Sequence, residues 1–304
     1  MDFQGKWFFE LITQDLVLLY KINNSLYSGK TCYQRVDILE TDAFGKSLIL
    51  DGKTQSTSRD EYIYHESLVH PALLSHPDPR SIFIGGGGEG ATLREVLLHR
   101  KVERVTMVDL DSKVVELCRS YLPEHSDGAF DDSRAQIVHQ DARKYLSECE
   151  ESYDVVILDL VDPLEEGTAY TLYTREFYEI VRHRLRPGGI LVTQSGPASL
   201  LNHTECFTPI VKTISTLFPV VRPYTIYVPA FVTPWAFTLA FTDPGARDCS
   251  VSEVDHLISE RLVRKLMFYD GLTKQHMFSL PTYLRRGIAG ENRIVTDDTP
   301  VFMV

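Results

Sequence analysis

Ile82–Phe83–Ile84–Gly85–Gly86–Gly87–Gly88–Glu89–Gly90–Ala91–Thr92–Leu93–Arg94–Glu95 decides the fold of this chain. An apolar run enters a glycine cluster and a helix-compatible sequence leaves it, the pattern of strand, tight turn and helix. Glycines let a backbone take positive φ and approach a ligand closely, and the helix start offers unpaired N–H groups. The next apolar run, 104–108, ends at Asp109, close to the spacing at which an acid reaches a ribose hydroxyl. Glu89 inside the turn is less usual, because a carboxylate there repels a phosphate. The stretch points to a nucleoside without phosphates, although Gly85, Gly87 and Gly90 alone also fit an ordinary strand-to-helix turn.

Downstream, strands at 135–139, 153–158 and 190–194 alternate with helices near 91–99, 113–121, 142–149 and 174–185, with a turn at 186–189. This alternation predicts an α/β chain with a mostly parallel, doubly wound sheet. Segments 207–218, 224–228, 235–241 and 254–267 continue it as helix, strand, strand and helix. Upstream, 60–70 reads as a helix ending before Pro71. Residues 5–52 read as β-rich hairpins, with mixed signals over 11–23. The predicted division is a small N-terminal β domain over 1–58 and a catalytic domain over 59–304.

The composition of the 304-residue chain, 43% hydrophobic and 24% charged, fits a globular protein, and no apolar run approaches the roughly 18 residues of a membrane-span candidate. The N-terminus lacks a signal-peptide pattern, so a cytoplasmic protein is expected, with no membrane partner. Five scattered cysteines without a C-x-x-C pair predict neither disulfides nor a metal site. A net charge of −11 disfavours nucleic acid and attracts small cations.

In a doubly wound sheet, ligands bind beyond the carboxyl ends of the strands. Glu89, Asp109, Asp141 with Ala142, and Asp159 with Asp162 follow four successive strands there. One such acid is most often a helix cap, and Asp141 fits that role. Four at one rim point to a site for a cation.

Together with Tyr33–Gln34, the run 50–55, Asp60–Glu61, Tyr64–His65–Glu66, Asp109–Leu110–Asp111, the runs 159–163 and 186–189 and Thr296–Asp297–Asp298, these pieces resemble the polyamine aminopropyltransferases, the family of spermidine, spermine and thermospermine synthases. The resemblance covers almost the whole chain. It implies a Rossmann-like, class I methyltransferase-like catalytic domain, an N-terminal β domain and a homodimer or homotetramer joined partly through the N-terminal sheet. It implies transfer of an aminopropyl group from decarboxylated S-adenosylmethionine, a co-substrate rather than a tightly bound cofactor, to a small amine, releasing methylthioadenosine. Carried over by position, Gln34 and Asp109 contact the nucleoside and ribose, Asp141 and Ala142 the adenine, and Gly86 and Gly88 form the turn around the donor. Glu89 and Gln55 hold the aminopropyl end. Tyr64, Asp159 and Asp162 hold the attacking amine, with Asp159 the general base, and the loop 165–174 covers the site.

The chain departs from many spermidine synthases at His65, in place of Gln, at Glu89 for Asp, at Asp109 for Glu, and at Phe231 near a site Tyr. His65 and the run 162–167 are more similar to thermospermine synthases and to bacterial enzymes using agmatine or longer amines. Spermidine is therefore the leading acceptor, agmatine the next and putrescine an alternative; His65 as a structural substitution, with Glu165 and Glu166 facing solvent, is the plain reading.

The chemistry supports the resemblance. A sulfonium donor leaves as a neutral thioether and needs no acid, whereas an alkylammonium acceptor, with a pKa of about 10.4, must lose a proton before it attacks. A carboxylate opposite the donor's ammonium would also repel the carboxylate of ordinary S-adenosylmethionine. Three rivals remain. An S-adenosylmethionine-dependent methyltransferase usually carries an acid before the glycines, where Ile84 stands here; a nicotinamide dehydrogenase needs a pyrophosphate site, which Glu89 opposes; a non-catalytic polyamine-binding subunit has no need of both Asp159 and Asp162.

Overall fold

The computed structural model describes residues 4–165, 167 and 169–303. At the N-terminus, β1 (Lys6–Thr13) and β2 (Leu16–Ile22) form an antiparallel hairpin, which settles the mixed signals of 11–23 as strand. Strands β3 (Asn24–Lys30), β4 (Arg35–Thr41), β5 (Gly45–Leu50) and β6 (Lys53–Thr57) follow as a four-stranded antiparallel sheet. Asp51 and Gly52 turn β5 into β6 with φ of 48° and 81°, the left-handed pair that a two-residue hairpin requires.

Helix α1 (Glu61–Ser75) then leads into β7 (Ser81–Gly86), α2 (Ala91–Leu97), β8 (Arg104–Asp109), α3 (Ser112–Tyr121), the single turn α4 (Pro123–Ser126), β9 (Ala135–His139), α5 (Ala142–Glu148) and β10 (Tyr153–Asp159). After α6 (Arg175–Arg184) come β11 (Leu185–Pro197), α7 (Phe207–Ser215), β12 (Val220–Val228), β13 (Thr233–Phe241), α8 (Val251–Arg261), α9 (Gly271–Phe278) and α10 (Thr282–Gly290). The seven-stranded sheet has the order β12-β13-β11-β10-β7-β8-β9, parallel except at β13, which runs antiparallel to both neighbours. From β7 the chain winds out to β8 and β9, then crosses to β10 on the other side. The order of strands reverses between β7 and β10, and a crevice opens there. The fold is the expected α/β, Rossmann-like one.

Three sequence expectations change. Helix α1 does not end at Pro71 but carries it inside. Proline removes the N–H that would bond the Ser67 carbonyl four residues back, and the Tyr224 hydroxyl donates to that carbonyl instead at 2.8 Å. The expected turn at 186–189 is a bulge within β11, where Leu185 pairs with Tyr153 and Ile190 with Val155. The helix expected over 254–267 starts earlier, at a capping box made by Ser250 and Glu253, and stops at Arg261 because Leu262 bridges to His99. No helix among the described residues is long and apolar enough to cross a membrane.

Candidate active site

The crevice holds a cavity of about 170 Å³, and its floor is the glycine turn. Gly86 sits beside Asp159 in the parallel register of β7 and β10, with φ of 82°. A Cβ there would lie 2.1 Å from the Asp159 carbonyl oxygen, and the Gly87 N–H donates to that oxygen at 3.0 Å. A Cβ on Gly88 would come within 2.9 Å of Asp109 Oδ2. The glycines thus bring two strand-end carboxylates onto one floor.

Asp159 accepts from the Tyr64 hydroxyl at Oδ1 (2.9 Å) and from Thr92 Oγ1 at Oδ2 (2.6 Å). Burial, then the nearby Glu89, push its carboxyl up to about 6. Burial and the same acids hold the Tyr64 phenol well above its ordinary range, so it stays a proton-bearing donor.

On the β8 side, Asp109 accepts the Asp111 N–H at 2.8 Å, and burial pushes it up to about 7. Asp111 caps α3 with Oδ1 and, through Oδ2, accepts from Thr31 Oγ1 (2.5 Å) and Gln34 Nε2 (3.1 Å). It therefore ties the N-terminal sheet to the wall of the site. Gln55 of β6 and the apolar Leu48 and Leu50 of β5 complete that wall. Asp141 is indeed an N-cap, accepting the Lys144 N–H at 2.7 Å, and with Ala142 it also lines the cavity.

Beyond β10, Asp162 is buried beside Gln194 and pushed up to about 7. Gln194 is itself fixed, donating to the Leu160 carbonyl (3.0 Å) and to the Tyr173 hydroxyl (2.5 Å). Phe231 packs edge-on to Tyr64 with ring centroids 6.0 Å apart, and leans on Trp235 at 4.8 Å. A smaller cavity continues past Asp162, Phe231 and Trp235 to Glu10 of β1, whose carboxylate accepts from Thr54 Oγ1 at 2.7 Å. Burial raises the Glu10 carboxyl.

The covering loop contributes Gly167, Ala169 and Leu172 to the cavity, with Leu164 just before it; Glu166 and Thr168 lie outside the described residues. A C-terminal strap holds it, with Arg143 bound to Asp297 at 2.8 and 2.7 Å and to the Thr171 carbonyl at 3.3 Å. The Met303 N–H donates to the Pro163 carbonyl at 2.9 Å.

Gln34, Gln55, Tyr64, Gly86, Gly88, Glu89, Asp109, Asp141, Ala142, Asp159, Asp162 and Phe231 all line the cavity. His65 does not. It stands behind Glu89, buried, with Nε2 2.7 Å from Glu89 Oε1 and Nδ1 2.9 Å from Glu61 Oε2, so its place is under the wall rather than on it. Glu10, Thr92 and Trp235 also belong to the site and were not singled out, and Asp111, quoted only within the run 109–111, was given no role. Only Asp111 carries a local signal, as the cap before an amphipathic helix; the others arrive through tertiary packing.

His65, Glu89 and Asp159 present ligand atoms within 4.8 Å of one another, a geometry that a metal ion also uses. The ring's Nδ1 faces the Glu61 carbonyl and its Nε2 faces Glu89 Oε1. The arrangement suits an ammonium.

A doubly wound sheet with a glycine turn and strand-end carboxylates around one crevice is the architecture of an α/β enzyme that binds its ligand at the switch point of the sheet. Residues 61–248 match the spermine/spermidine synthase domain and residues 6–58 the spermidine synthase tetramerisation domain. The chain belongs to the spermine/spermidine synthase family and is an aminopropyltransferase. It is 40% identical over 298 residues to the thermospermine synthase ACAULIS5 of Arabidopsis thaliana, covering 98% of this chain and 87% of the relative. It is 43% identical over 303 residues to a polyamine aminopropyltransferase of Aeropyrum pernix, covering 98% and 95%. The spermidine synthase of Thermotoga maritima superposes with a TM-score of 0.84 at 32% identity, over 94% of this chain and 95% of that one. A spermidine synthase in complex with the transition-state analogue AdoDATO superposes with a TM-score of 0.85, also at 32% identity, over 94% and 96%.

Proposed function

We propose that the chain transfers the aminopropyl group of decarboxylated S-adenosylmethionine to spermidine, giving thermospermine and methylthioadenosine. The observation that carries this reading is the pair of half-buried carboxylates that share the cavity, Glu89 in the glycine turn and Asp159 at the end of β10. Glu89 receives the donor's primary ammonium, Gln55 flanks it, and Asp109 with Gln34 faces the ribose and nucleoside. Asp141 and Ala142 border the adenine. Asp159, with Tyr64 and Asp162, aligns the acceptor nitrogen and takes its proton. The nitrogen lone pair attacks the carbon next to sulfur, the C–S bond breaks and its electrons return to sulfur. Alignment of the two substrates supplies much of the acceleration.

The smaller cavity beyond Asp162, with Glu10 in its wall, supports a longer acceptor, since a second ammonium needs a second anion farther along the channel. Agmatine is the next reading and putrescine, making a plain spermidine synthase, the alternative. Exposed apolar pairs on the β1–β2 hairpin, Phe9 opposite Leu19 and Leu11 opposite Val17, support a homodimer or homotetramer built on that face. Free cysteines support a reducing compartment such as the cytoplasm.

Incubation with decarboxylated S-adenosylmethionine and each of the three amines, with products identified by mass and chromatography, tests this. Chromatography is needed because thermospermine and spermine are isomers. A clear kcat/KM preference for putrescine overturns the longer-acceptor reading.

A further inference from the structure

The strongest unassigned feature is a run of buried charges behind the cavity wall. The Glu61 carbonyl lies 2.7 Å from His65 Nδ1, and a carbonyl only accepts, so Nδ1 carries a proton. Nε2 meets Glu89 Oε1 at 2.7 Å, so a second proton sits between these two groups. Glu61, next to Nδ1, is gripped by Arg94 Nη1 and Nη2 at 3.0 and 2.9 Å and is held down at about 2. Arg94 is in turn fixed by Glu95 at 2.8 Å.

This matters because Glu89 and Asp159 share one floor. Two ionised carboxylates side by side in a half-buried crevice repel strongly enough that one would normally keep a proton. Yet the reaction needs both ionised, one for each incoming ammonium. A positive charge under the floor resolves the conflict.

We infer that His65 is a positioning residue: as an imidazolium pinned between Glu61 and Glu89, it fixes Glu89 through Oε1 and supplies the charge that lets Glu89 and Asp159 be ionised together. The inference rests on the reading of Glu89 as the donor's ammonium partner. The groups facing His65 are Glu61 on its own helix, Arg94 on α2, Glu89 in the glycine turn, Asp159 on β10, His125 on α4 and the ring of Tyr64. Two carboxylates bonded directly to the ring outweigh the burial that disfavours its charge, and they hold its pKa well above the ordinary value.

Nitrogen NMR of the full-length protein with isotope-labelled histidine tests the charge directly. The His65 signals are assigned by their loss in His65→Gln, or by their displacement in Glu61→Gln if the first variant does not fold. Both nitrogens should show imidazolium shifts from about pH 6 to about pH 8.5. A neutral tautomer at neutral pH overturns the inference. A second arm follows activity: His65→Gln keeps a donor to Glu89 but removes the charge, so the acid limb of kcat/KM should move up by roughly one pH unit. A purely structural role would lower the rate with the limb in place, and that result also overturns it. Failure of the underlying reading shows separately, as equal melting shifts from decarboxylated and ordinary S-adenosylmethionine while the imidazolium signal persists.

Discussion

In the proposed reaction Asp159 takes the acceptor's proton. Burial and Glu89 push its carboxyl up to about 6, so on that reading the rate should fall on the acid side of that value as Asp159 becomes protonated. Above it the rate should keep climbing as free amine forms towards a pKa of about 10.4. Asp159→Asn should bind donor normally and lose on the order of 100-fold in turnover, with the acid limb gone. Near-wild-type turnover would remove Asp159 from the mechanism. Asp159, Asp109 and Glu89 were legible because an acid just past a strand end has one place to go in a doubly wound sheet. His65 was legible as a residue type and not as a layer, since helical spacing does not say which side of Glu89 the ring takes. Glu10 lies far away in sequence, and only the folded hairpin brings it to the channel.

At the scale of elements, Pro71 shows how a local rule gives way to tertiary structure. The proline signal for a helix end was sound as local chemistry, and α1 passes it because Tyr224, on a distant strand, supplies the missing donor. Tyr224→Phe should therefore cost about 1–2 kcal/mol by leaving the buried Ser67 carbonyl unpartnered. Adding Pro71→Ala should recover part of that loss by restoring the backbone N–H, and denaturant unfolding of the four proteins in the cycle measures the coupling. Losses that simply add would separate the two residues. The helices α9 and α10 were not read from sequence for a related reason. Gly271 opens α9 as a weak helix former, and its Cβ-free backbone is required because a side chain there would meet the Val251 carbonyl at 2.2 Å.

In the whole molecule, the β1–β2 hairpin turns Phe9 and Leu19 outward, 66% and 50% exposed. They are cross-strand partners on one face, with Leu11 and Val17 beside them. Phe9→Glu combined with Leu19→Lys should lower the oligomeric mass seen by light scattering while the circular dichroism of the chain is retained. An unchanged mass would place the subunit contact elsewhere. The face was not legible in sequence because the segment's period was ambiguous, and a face exists only once β1 and β2 are paired.

The Thr31 and Gln34 bonds to Asp111 make the joint between the N-terminal sheet and the large sheet the same surface as the cavity wall proposed to hold the nucleoside. Heating should therefore abolish turnover before calorimetry records melting of the seven-stranded sheet, because a slight parting of that joint dismantles the donor site while leaving the larger core intact. A donor bound as proposed would span the joint, so saturating donor should bring the two temperatures together. Coincident loss of activity and heat absorption without donor would show that the two sheets part only when the whole chain unfolds.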